Sequence, residues 1–137
     1  MFHPSKQAQY CTGTRNALRC VESTLAPTLA ELAQAYGRQQ AQLWVMAQVY
    51  DLSESAGCRD KVTDKACSEA ATFILTEYPT LKVTELMLFF WRSKFGDFGR
   101  FYGTADIQQF GEWMRKFHAY TNRLIAESER QRNGYYR

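Results

Sequence analysis

No stretch of this chain is apolar for long enough to cross a membrane: the longest apolar run, Leu86 to Trp91, is far too short. The opening Met-Phe-His-Pro-Ser-Lys-Gln has no apolar core of signal-peptide length. Both absences point to a soluble, cytoplasmic protein with no membrane partner. Proline is scarce, at three residues, and with eight glycines it interrupts the chain rarely, which favours long helices. No segment alternates apolar and polar residues over a useful length, so β structure is not expected. There is no internal repeat.

The marks of enzymes are also missing. Gly96, Gly99 and Gly103 follow a helical pattern rather than a strand and come without Gly-Lys-Ser/Thr, which excludes a phosphate-binding loop. No nucleophile elbow occurs. The two histidines, His3 and His118, are far apart, and His118 reads as a surface or boundary residue of the last helix. Asp97 and Asp106 flank the glycine cluster, yet Asp106 suits a helix cap and Asp97 a turn. Cys11 and Cys20, then Cys58 and Cys67, form two pairs with the same wide spacing, too wide for a zinc knuckle. In a reducing compartment they read as free thiols packed like small apolar groups. No catalytic set, metal or cofactor is expected.

What the chain does have is aromatic residues, 15% of its 137 residues, within 45% hydrophobic content, enough for one domain with a real core. Its net charge of +3 is modest but unevenly spread. Residues 1–20 carry Lys6, Arg15 and Arg19 with no acid, residues 21–80 are net acidic, and both 81–103 and 104–137 are net basic. Such polarity guides a partner's approach without specifying a fold.

The periodicity predicts an all-α chain of four or five helices, divided into a polar N-terminal arm over 1–20, a helical domain over 21–130 and a flexible tail over 131–137. The arm has one helical alternative, over 14–22 with Leu18 and Val21 inward. A long helix is expected from Pro27, with Leu29, Leu32, Tyr36, Leu43, Met46 and Tyr50 on one stripe and a weak point at Gly37. Residues 52–60 read as a loop. A second helix starts at Thr63 or Asp64, aligns Cys67, Ala70, Ala71, Ile74 and Tyr78, and ends at Tyr78-Pro79. The third opens at Thr84-Glu85. Because Leu86 to Trp91 is apolar on every side, it belongs at the centre of the bundle. Asp106 and Gln109 open the last helix, whose seam runs through Ile107, Phe110, Met114, Phe117, Thr121 and Leu124.

The segment between the last two helices is the candidate site. Phe95, Phe98, Phe101 and Tyr102 cannot all be exposed without a large apolar patch, so at least two should turn inward and peg the loop. The pattern suits a core-plugging turn, the aromatic-and-arginine centre of a protein interface, and a single-strand nucleic-acid platform alike. The residues that would bind are Trp91, Lys94, Phe98, Arg100, Phe101 and Tyr102, joined by Trp113 and Arg115 from the last helix. A solvated face serving the helix dipole is the plain alternative for that helix's basic residues.

The string Glu85-Leu-Met-Leu-Phe-Phe, then Lys94-Phe-Gly-Asp-Phe-Gly-Arg-Phe-Tyr-Gly103 and Asp106, resembles uncharacterised small helical proteins of phages and mobile elements of gut bacteria. These share a Glu-Leu opening, a Phe-Phe pair, a glycine-aromatic repeat after a lysine and an acid before the final helix. The likeness spans roughly Thr63 to Arg130 and leaves residues 1–60 without a counterpart. It implies a mobile-element accessory protein acting near DNA replication or maintenance, and carries over no catalytic or ligand residue. The expectation is a non-enzymatic accessory protein that binds a protein partner, itself included as a homo-oligomer. Direct DNA or RNA binding is the alternative, and a small enzyme of unknown class the third.

Overall fold

Leu86, Met87, Leu88, Phe89 and Phe90 are all fully buried, so the helix that carries them presents almost no outer face. That result, expected from an apolar run without periodicity, organises the chain. A computed structural model describes residues 2–55, 62–100 and 107–135. Among the described residues the protein is all-α. A 3-10 turn at Pro4–Lys6 leads into α1 (Gln7–Cys11), α2 (Thr14–Glu22), α3 (Leu29–Tyr36), α4 (Arg38–Ser55), α5 (Asp64–Glu77), α6 (Val83–Lys94) and α7 (Ile107–Tyr135). The seven helices among the described residues exceed the four or five expected, for two physical reasons.

The first is Gly37. It adopts φ 93°, a left-handed conformation open to glycine, and ends α3 by donating its N–H to the Ala33 carbonyl. The expected long helix is therefore two, and the stripe read across the break loses its register. Tyr36 and Leu43 are 71% and 51% exposed, while α4 buries Ala41, Val45, Gln48, Val49, Leu52 and Ser53 instead. Burial of Leu52 and Ser53 also carries α4 to Ser55, into what was read as loop.

The second is the N-terminus, which is folded rather than a polar arm. Gln7, Cys11, Ala17, Cys20 and Val21 are buried, and Leu18 is not part of this core. The buried amide of Gln7 donates to Gln48 Oε1 of α4 at 2.6 Å, and Gln48 Nε2 and Trp44 Nε1 both donate to the Phe2 carbonyl. Paired in this way, a polar residue can sit in a core. At the other end α7 continues helical through Tyr135, so the expected tail is helical over 131–135.

Helix starts follow the sequence closely. Thr28 and Glu31 form a capping box on α3, and Thr63 Oγ1 accepts from the Ala66 N–H on α5. Glu85 accepts from the Lys82 N–H at α6. Leu29 N–H donates to the Leu81 carbonyl and Val83 N–H to the Pro27 carbonyl, so α3 and α6 start side by side. Lys82 Nζ donates to the Val21 carbonyl and Thr84 Oγ1 to the Cys20 carbonyl, satisfying the C-terminal end of α2 from α6. Around α6 lie α1, α2 and α4, while α5 packs on α4 and α7.

Candidate functional site at the junction of the sixth and seventh helices

Helix α6 ends in a Schellman motif. Gly96, at φ 77°, donates its N–H to the Ser93 carbonyl, and Asp97 donates to the Arg92 carbonyl. This tight reversal throws Phe98 back onto the core, where its ring stacks on Phe89 at 5.7 Å and meets Phe117 edge-on at 6.1 Å. Gly99 follows at φ 139°, and a side-chain carbon placed there would lie 3.0 Å from the indole nitrogen of Trp113. Lys116 Nζ donates to the Phe98 carbonyl at 2.9 Å, and Gln109 Nε2 to the Arg100 carbonyl at 3.1 Å. The first half of the loop is thus pegged to α7 by backbone and ring contacts.

That geometry divides the sequence-predicted residues. Phe98 and Trp113 are core residues, 4% and 2% exposed, and are corrected from docking groups to structural ones. The turn at Gly99 lies against the Trp113 indole. Phe101 and Tyr102 lie outside the described residues, as do Asp106 and Cys58. Trp91 is half-buried, and Lys94 forms an ion pair with Asp51 of α4 while sitting 5.8 Å from the Trp91 ring. Arg100 and Arg115 are exposed.

The residue that joins the two helices is Arg92, a basic residue of this stretch that the predicted binding set does not include. Arg92 donates from Nε to Asp97 Oδ2 at 2.5 Å, and its guanidinium carbon lies 5.8 Å from the Phe95 ring and 5.6 Å from the Tyr120 ring. Phe95 meets Trp91 edge-on at 5.0 Å and is itself 61% exposed. The result is a ladder of Trp91, Phe95, Arg92 and Tyr120 running from α6 onto α7, with aromatic faces and a cation in the order that favours cation–π contact.

Beside it opens a cavity of about 440 Å³, walled by Arg92, Asp97 and Phe98 on one side and by Lys116, Ala119, Tyr120 and Arg123 of α7 on the other. Three cations face one acid there. Lys116 also pairs with Glu112 at 3.3 Å. Burial raises the Tyr120 pKa, and the nearby Arg92 opposes that rise, so the phenol stays protonated and available as a donor. The basic residues of this helix read as a solvated face, but the spacing of Lys116, Tyr120 and Arg123 places them on one side of it, and that spacing is the signal for the site.

The sequence model of one protein family matches residues 61–133, more than half of the chain. The chain belongs to DUF6633, a family of unknown function. No curated protein and no solved structure matches it. The DUF6633 segment takes in α5, α6 and all but the last two residues of α7, and with them every residue that lines the cavity. The N-terminal helices α1 to α4 precede it.

Proposed function

We propose that this DUF6633 protein is a non-enzymatic accessory protein of a phage or other mobile element, and that it binds a protein partner at the junction of α6 and α7. The observation that carries this reading is the Arg92 ladder: one arginine shared between Phe95 and Tyr120, with Phe95 largely exposed, beside a cavity of net positive charge. Aromatic and arginine side chains are the groups that dominate binding energy at protein interfaces. The partner's matching chemistry is an acidic segment with one apolar side chain, its carboxylates toward Arg92, Lys116 and Arg123 and its apolar group against Phe95 and Trp91. The mobile-element context rests on the likeness of the Glu85–Gly103 string described above.

A second reading has its own support. Lys116, Arg123 and Arg130 recur every seven residues on α7, and Tyr120 lies between the first two, a stripe suited to a phosphate backbone with a stacking ring. Glu112 and Glu127, paired with Lys116 and Arg130, offset that stripe, which favours the protein partner.

The test is capture of binding partners from producing cells with the wild-type chain, Phe95→Ala and Arg123→Glu, each with and without nuclease. A protein retained by the wild type after nuclease and lost with both variants supports the reading. Retention that nuclease abolishes moves the function to nucleic acid, and retention unaffected by either variant removes the site.

A further inference from the structure

Two thiols far in sequence from the proposed docking face lie against one another. Cys11 closes α1 and Cys20 sits in the last half of α2, 1% and 3% exposed, with their Sγ atoms 3.8 Å apart. Gly13, at φ 86°, turns the chain between them and lays α2 beside α1. A disulfide spans about 2.05 Å between sulfurs, so closure asks for an approach of about 1.8 Å. The two residues differ in position. Cys20 lines a cavity of about 320 Å³ together with Tyr10, Asn16, Arg19 and Thr84, whereas Cys11 does not.

We propose that Cys11 and Cys20 form a dithiol–disulfide modification site that reacts with small anionic disulfides of the glutathione class, Cys20 attacking first and Cys11 resolving. Arg19 at the cavity places a positive charge where such a reagent's carboxylates would lie. Either thiol can donate across this contact, and Cys20 Sγ also donates to the Tyr10 carbonyl at 3.2 Å. With the shared proton on Cys11, the hydrogen bond lowers the Cys20 pKa, which favours Cys20 as the attacking sulfur.

The exchange balances without any other oxidant. The Cys20 thiolate attacks one sulfur of the reagent, the reagent's S–S bond breaks, and the departing thiolate takes up the proton that Cys20 released. Cys11 then loses its proton and attacks the Cys20 sulfur, forming the Cys11–Cys20 bond and expelling the second reagent thiol, which carries that proton away. Two protein thiols are oxidised by two electrons and one small disulfide is reduced to two thiols. The product ties α1 to α2 at the point where the Cys20 carbonyl accepts from Thr84 of α6.

The experiment treats the full chain with glutathione disulfide, blocks remaining thiols with an alkylating agent in denaturant, and maps peptides by mass without reduction. Trypsin cuts after Arg15 and Arg19, between the two cysteines, so a linked pair of peptides is diagnostic. The expected product joins the Cys11 and Cys20 peptides, lighter by two hydrogen atoms, with Cys67 recovered alkylated. Cys11→Ser is expected to hold one glutathionyl group on Cys20, and Cys20→Ser to leave Cys11 unmodified. Recovery of Cys11 and Cys20 as alkylated thiols in the wild type, or an unresolved glutathionyl group on wild-type Cys20, overturns the proposal. The wild-type result stands whether or not a serine variant folds.

Discussion

Arg92 holds the carboxylate of Asp97 from two guanidinium nitrogens, each 2.5 Å from the same oxygen, across the turn that ends α6. The pair spans the Schellman turn and holds the guanidinium within reach of both the Phe95 and the Tyr120 rings. Asp97 thereby sets both the shape and the charge of the cavity's edge.

Replacing Asp97 with asparagine separates these two effects. The pair is about one-third exposed, so its loss should cost less than about 1 kcal/mol in urea denaturation. An acidic partner should bind more tightly to Asp97→Asn, because one negative charge leaves the cavity's edge, and the gain should shrink as salt rises. Weaker binding at low salt would mean that Asp97, not the cations, contacts the partner.

Gly99 gives a sharper test of the turn. Its φ of 139° disfavours any side chain, and a β-carbon would press on the Trp113 indole at 3.0 Å. Gly99→Val should lower stability by about 1–3 kcal/mol, measured by thermal or urea unfolding. Wild-type stability would show that the loop can rearrange freely around the indole.

The buried Gln7–Gln48 pair predicts a non-additive cycle. Gln48→Leu leaves the Gln7 amide without its acceptor and should cost about 1–3 kcal/mol. The double variant with leucine at both positions should recover much of that loss, since neither buried amide is then stranded. Additive losses would contradict the account of how the N-terminus is held.

Glu85 predicts a pH dependence. Burial raises its pKa above the ordinary 4.5, against the opposing Lys82 N–H and the charges of Lys82 and His118. A raised folded-state pKa means the native chain binds this proton more tightly than the unfolded chain. Glu85 therefore contributes stability that is full below about pH 4.5 and is lost as pH rises through its folded pKa. Glu85→Gln keeps an acceptor for the Lys82 N–H and should flatten the stability profile just above pH 4.5. An unchanged profile would show that another group sets it.

The all-α class was legible because its signals are local. The centre of α6 follows from an apolar run with no polar face, and the starts of α3, α5 and α6 from short local signals at Pro27, Thr63 and Glu85. The register of α4 was not legible: it is packed by α3, α5 and α6, and two of its buried positions, Gln48 and Ser53, are polar. Gln7 looked like part of a solvated arm because its partner lies 41 residues away, a distance no short-range pattern reports. Within the candidate site, the sequence located the loop but not its inside and outside. Loop residues have no period, so only the Gly96 turn reveals that Phe98 faces the core while Phe95 faces solvent.

The docking claim is tested most directly by site-specific photo-cross-linking in producing cells. A photoreactive amino acid replaces Phe95 in one variant and Leu43 of α4, comparably exposed, in another. The account predicts a discrete protein adduct from position 95 that Arg123→Glu suppresses, and none from position 43. An adduct from position 43 alone, or one from position 95 that Arg123→Glu leaves intact, would contradict it.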